Sequence, residues 1–262
     1  MGSRRWAGVR GLRVTVLAAV AACMLFPSAL IGVLSFSGDA FIKFPPRTWG
    51  WRHYASVAQA EKWRGPFLRS LLVAGVASPL AVAVGVAATV ALHRTGLPGR
   101  HLLQMAGIAP LLLPGVAYAI AVYSLFAWLK LLNRVESVIL THVTHAVPFV
   151  LLITGAAFSR VPRELELAAL SLGASRLQAW WDVTLPLLGP AIVASLIFAF
   201  KSSLDETVIT SFLAAPGFET LPVAIFNSVR EGTDPVIMAI ATPLTLFTGA
   251  LLVAYTLLRR SE

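Results

Sequence analysis

Long apolar runs dominate the chain. Residues 14–36, 71–92, 102–129, 137–158, 187–213 and 235–258 each extend past twenty residues with few charges or none. A helix needs about 20 apolar residues to cross about 30 Å of hydrocarbon. Backbone polar groups in lipid must also be satisfied within the segment. The pattern therefore predicts an all-α integral membrane protein with six transmembrane helices. The strand alternation of an outer-membrane barrel is absent. Pro110 and Pro114 interrupt the third run and predict a kink there. The fourth run holds His142 and His145, and the fifth holds Lys201, Asp205 and Glu206 away from its ends.

Composition agrees. The 262 residues are 57% hydrophobic and 13% charged, against about 25% charged in a soluble domain. Mean hydropathy is +0.79. These values exclude an ordinary soluble enzyme and a disordered chain. The net charge of +9 fits basic residues flanking spans rather than a nucleic-acid partner. A single cysteine, Cys23, excludes an internal disulfide and a multi-cysteine metal site.

Basic flanks give an orientation. Arg4, Arg5, Arg10 and Arg13 precede the first run, and Arg259 and Arg260 follow the last, so both termini are expected in the cytoplasm. The bias is narrow, with eleven basic residues on the inner side against nine outside. The basic start and apolar run also have the form of a signal peptide, with residues 20–23 resembling a lipoprotein cleavage box. The run continues 13 residues past Cys23, whereas a signal core is about 7–15 residues long. A retained span is expected. Residues 1–65 then form a first helix and an external loop, and residues 66–258 the transmembrane core.

The segment 159–186 carries the most information. Pro162 suits the first position of a helix, and Glu164 and Glu166 follow in the first turn, where the dipole favours acids. Gly173 can end that helix in a left-handed conformation. Ser175 and Gln178 form an S-x-x-Q capping box for a second short helix. Trp180 and Trp181 suit interfacial anchors. Two short cytoplasmic helices joined at a glycine are predicted. Ala168, Ala169 and Gly173 are small enough to let another protein approach. The alternative is an amphipathic helix lying on the bilayer without a partner.

This segment resembles the cytoplasmic coupling loop of ABC-importer permeases, whose pattern is Glu-Ala-Ala, three residues, Gly, nine residues, then Ile-x-Leu-Pro. Ala168, Ala169, Gly173, Val183, Leu185 and Pro186 occupy matching positions. Leu167 stands where the family has its glutamate, with Glu166 beside it, and Val183 replaces the isoleucine. The motifs Leu204-Asp205-Glu206, Phe212-Leu213, Pro216-Gly217, Leu221-Pro222, Gly232 and Asp234-Pro235 resemble the last third of spermidine/putrescine-type permeases, and His142 and Pro148 match their fourth span. The likeness runs over residues 66–258. It implies a type I ABC-importer permease in a bacterial inner membrane, with Glu166, Ala168, Ala169, Gly173, Leu185 and Pro186 in the ATPase-coupling loop. The implied partners are a second permease of different sequence, two copies of a cytoplasmic ATPase and an extracytoplasmic binding protein. ATP and magnesium would be held by the ATPase, and no cofactor by this chain.

Lys201, Asp205 and Glu206 are costly in lipid, at about 2.5–3.5 kcal/mol each on the insertion scale, so they should face a bundle interior or a wet cavity. Lys201 and Asp205, four apart, can pair. Glu206 has no evident local partner. The trio reads as part of a translocation pathway; alternatively it pins the fold, or the span ends near Phe200 and the charges sit at its outer mouth. No G-x-x-x-x-G-K-[ST] phosphate loop is present, and no catalytic constellation. His142 and His145 suit helix–helix hydrogen bonds better than a metal, and His93 and His101 flank a tight loop at 96–99. The expected function is ATP-driven import of a polyamine or similar small polar solute. Iron complexes, thiamine-like compounds and aminophosphonates also fit relatives of the pattern. The alternatives are a secondary transporter with Asp205 and Glu206 as cation or proton sites, and a membrane enzyme or scaffold.

Overall fold

The computed structural model describes the backbone of residues 2–96, 98–232 and 234–260, and the side chains of 13–57, 60–96, 98–232, 234–250 and 253. The side chains of Arg4, Arg5, Arg10, Arg259 and Arg260, on which the orientation partly rests, lie outside the described residues. The described residues are helical with connecting loops; the nearest thing to a strand is an isolated antiparallel bridge between Ser37 and Trp49. Two compact units are present, residues 1–61 with 228–252 and residues 62–227 with 253–262.

In the first unit, α1 (Gly2–Ser35) contains an apolar stretch, Arg13–Ser35, long enough to cross a membrane. A tight loop follows. Gly38 N–H donates to Thr48 O (2.9 Å) and Gly50 N–H to Phe36 O (2.8 Å). The Asp39 carboxylate accepts the Arg47 N–H and the Thr48 hydroxyl, each at 2.8 Å, and these bonds hold it below the ordinary carboxylate range. Phe36, Trp51 and Tyr54 cluster at ring distances of 4.8–5.4 Å where α2 (Arg52–Gln59) begins.

Next along the chain come α3 (Glu61–Arg94), α4 (Arg100–Ile108), a 3-10 turn (Ala109–Leu112), α5 (Gly115–Trp128) and α6 (Val135–Phe158). They are followed by α7 (Arg163–Ser171), α8 (Arg176–Ala179), a π-helical turn (Trp180–Thr184), α9 (Leu185–Leu204) and α10 (Val208–Leu213). Two further helices, α11 (Leu221–Glu231) and α12 (Val236–Arg260), close the chain.

The expected six spans are not all present as single helices. Four helices meet the length and hydropathy of a crossing: Arg13–Ser35, Glu61–Arg94, Val135–Phe158 and Arg176–Leu204. The third predicted span is two helices bent by 110°. Proline disfavours the helical region for the residue before it. Leu113, ahead of Pro114, is extended at φ −87°, ψ 138°, so the run breaks rather than kinks. The described apolar part of α12, Val236–Ala250, is shorter than a crossing, although the helix continues.

Helix α6 organises the second unit. Gly85 of α3 meets Val150, the Thr89 and Thr154 hydroxyls lie 2.7 Å apart, and the His93 ring lies 5.1 Å from Phe158. The contacts recur every four residues on both helices and ascend together, so α3 and α6 run parallel. Ala77, Ala81 and Gly85 continue the small-residue stripe along α3 that lets the helices approach. Against α9 the order reverses, with His142 on Ser203 and Phe149 on Phe198. It reverses also against α4 and α5, where Gly107 faces Leu151 and Tyr118 faces Thr144. Directions alternate as in a chain that crosses and recrosses.

A Cβ on Gly85 would lie 2.5 Å from Val150 Cγ1 and 2.7 Å from its Cβ. Gly85→Ala should therefore destabilise the detergent-solubilised protein by about 1–3 kcal/mol, the usual cost of overpacking. Val150→Ala in the same chain should restore most of it. Thermal unfolding of the single and double variants measures both.

Candidate functional site

The loop between α6 and α9 folds largely from local signals. Glu164 and Glu166 lie in the first turn of α7, which begins at Arg163, one position later than expected, with Pro162 as its N-cap. The helix closes in a Schellman turn. Gly173 N–H donates to Leu170 O and Ala174 N–H to Ala169 O, each at 3.0 Å, with Gly173 at φ +94°. The capping box forms as expected, with Gln178 N–H on Ser175 Oγ (3.3 Å) and Ser175 N–H on Gln178 Oε1 (2.8 Å).

The second short helix differs from expectation. It continues through the π-turn into α9, giving one helical rod over Arg176–Leu204. Pro186 cannot donate to the carbonyl four residues back. The wider turn just before it absorbs that missing bond without ending the helix.

None of the residues of α7 is buried. Leu165 and Leu167 are exposed, and Leu172 at the turn is 90% exposed. Ala168 is exposed and Ala169 half-buried, while Leu185 is half-buried and Pro186 exposed. Trp180 is half-buried and Trp181 exposed. Glu166 differs from its neighbours. Its Oε1 lies 2.8 Å from Arg94 Nη2 and accepts Arg94 Nε–H (3.1 Å) and the Thr184 hydroxyl (2.5 Å). The Arg94 guanidinium in turn lies 4.5 Å from the Phe158 ring centroid.

The charged trio lies elsewhere. The helix does not run on to Leu213: α9 stops at Leu204, with Asp205 as its C-cap and α10 starting at Val208. Asp205 and Thr207 in this polar run are poor helix formers, and the Thr207 hydroxyl turns back to the Asp205 carbonyl. Lys201 and Asp205 make an ion pair and are both exposed. Glu206 has partners that sequence spacing does not reveal. Its Oε1 accepts the Ile209 N–H at 2.7 Å in the first turn of α10, and its Oε2 lies 3.8 Å from His145 Nε2. His142 bridges helices as expected, through Ser203 Oγ (2.7 Å) and Thr210 Oγ1 (2.9 Å).

Depth follows from α6. His145 is about 20 Å along the helix from Phe158 and about 15 Å from Val135, at 1.5 Å per residue. The Glu206–His145 contact therefore sits near mid-helix, where α9 has already ended. Glu206 faces His145 and the start of α10, whereas Asp205 stays exposed beside Lys201. The loop between α6 and α9 and the charged trio occupy different levels of α6, with Arg94, Phe158, Glu166 and Thr184 grouped at its C-terminal end.

Comparison with known proteins matches this geometry. The family model described as "Binding-protein-dependent transport system inner membrane component" matches residues 57–261. The putrescine transport system permease protein PotI of Escherichia coli (strain K12) is 30% identical over 258 residues, covering 95% of this chain and 92% of that protein. The spermidine/putrescine transport system permease protein PotC of Haemophilus influenzae is 30% identical over 256 residues, covering 96% and 97%. A solved bacterial ABC transporter that imports alginate shares the fold, with a TM-score of 0.73 and 16% identity over 99% of this chain and 98% of its own. The chain belongs to the family of inner-membrane components of binding-protein-dependent transport systems, as a permease subunit without an ATP site of its own.

Proposed function

We propose that this chain is one of two permease subunits of an ATP-driven importer for polyamines or similar small cations. In this reading α7 and its turn dock on a cytoplasmic ATPase. Both termini face the cytoplasm, and a binding protein delivers substrate from outside. Two ATPase copies supply the nucleotide and magnesium sites, and a second permease, different in sequence, completes the pathway. Family membership speaks against the ATP-independent alternative.

The observation that carries the docking assignment is the exposure of α7. A nine-residue helix with no buried residue presents Leu165, Leu167 and Leu172 outward. The Schellman turn and capping box hold it at a fixed angle to the α9 rod. An apolar face on a short polar-flanked helix suits a protein groove. Leu172→Glu should reduce copurification of the ATPase by on the order of tenfold, equivalent to about 1.4 kcal/mol, while membrane insertion and yield stay normal. Undiminished copurification would defeat the docking role.

The substrate class rests on the two polyamine-transport relatives and on the acids near mid-helix. Glu206→Gln keeps an oxygen for the Ile209 N–H and removes the charge, and Asp205→Asn removes the charge facing Lys201. The double variant should still assemble, and its maximal rate of putrescine or spermidine uptake should fall by on the order of tenfold, equivalent to about 1.4 kcal/mol of barrier. Unchanged uptake in proteoliposomes would make the pair structural.

A further inference from the structure

We propose that Arg94 and Thr184 act with Glu166 as an internal latch, which locks α7 to the ends of α3 and α9 so that force on α7 reaches both spans. The proposal rests on the docking reading above, because only a docked partner can load α7.

Glu166 is not offered to a partner. It lies one position before Leu167, about 100° around the helix, and that rotation turns it inward while Leu167 stays exposed. One oxygen, Oε1, accepts two hydrogen bonds from two other elements, from Arg94 Nε–H at the end of α3 and from the Thr184 hydroxyl at the end of the π-turn, with Arg94 Nη2 in ion-pair contact at 2.8 Å. Thr184 is fully buried. Arg94 is held from a third side by Phe158, the last residue of α6, which is itself 2% exposed. Three helix ends therefore meet at one carboxylate oxygen, and the end of α6 packs on the guanidinium that reaches it.

The chemistry suits a fixed joint. Arginine is the last residue of α3 and glutamate lies in the first turn of α7, so each charge also faces the favourable end of its own helix dipole. A planar guanidinium can stack on Phe158 while its edge donates to Glu166, which an ammonium cannot do. α7 has no buried side chain of its own. The latch, rather than apolar packing, ties it to α3. A displacement of α7 then either carries Arg94 and Thr184 with it or breaks a partly shielded ion pair.

Arg94→Gln and Thr184→Val test this in the full complex, reconstituted with its ATPase and binding protein. Uptake per ATP hydrolysed should fall about fivefold or more in each, the lower range of an allosteric coupling energy, with the ATPase still bound in normal ratio. Arg94→Lys should lie between Arg94→Gln and the parent. In the detergent-solubilised full chain, amide hydrogen exchange over residues 163–171 should accelerate in Arg94→Gln, and Arg94→Gln with Glu166→Gln should be no faster than the single variant. Thr184→Val removes one hydroxyl at constant shape, so it reports even where Arg94→Gln folds poorly. An unchanged ratio of uptake to hydrolysis in Thr184→Val and Arg94→Gln, or exchange over 163–171 equal to the parent, overturns the latch. Loss of ATPase binding on Leu172→Glu with these results would leave the docking reading standing. Normal binding on Leu172→Glu would fail that reading, independently of the exchange measurement.

Discussion

Close approach of α3 to α6 is the constraint on which the second unit depends. Lipid offers no hydrophobic drive to press helices together, so contact must come from shape and from polar pairs. Gly85 against Val150 provides the shape, and the Thr89–Thr154 pair one layer on provides the polar contact. Once α6 is seated on α3, its remaining faces receive α4, α5, α9 and α10 through Leu151, Thr144, Val143 and His142. The parallel course of α3 and α6 brings Arg94 and Phe158 to one level, and the loop after α6 is folded onto that platform.

The loop between α6 and α9 was legible because its rules are short-range. A glycine after the last helical turn, a serine three residues before a glutamine and acids behind a proline each act within five residues. Gly173, Ser175 and Glu164 therefore adopt the roles their spacing implies. Continuity from α8 into α9 was not legible, since a proline reads as punctuation when no π-turn is anticipated. The sharp break at Leu113–Pro114 was visible as a position but not as an angle, because proline fixes the local dihedral and tertiary contacts set the rest.

Charged side chains inside an apolar run were readable as unusual, and the i, i+4 pair of Lys201 with Asp205 follows directly. The other partners are remote. Glu206 meets His145 across 61 residues of chain, and Glu166 meets Arg94 across 72. No periodicity links such positions. The end of α9 at Leu204 is of the same kind. Hydropathy continues to Leu213, and only the polar side chains packed around Ser203 and Thr210 show why the helix stops.

The π-turn at Trp180–Thr184 has a geometric corollary. A wider turn accommodates an extra residue without shortening the rod, so it sets the rotational phase between everything before it and everything after it. Were that residue absent, α8 and the turn at Gly173 would swing by about 100° relative to α9, and Thr184 would no longer face Glu166. The length of this segment is therefore tied to the angle at which the loop leaves α9.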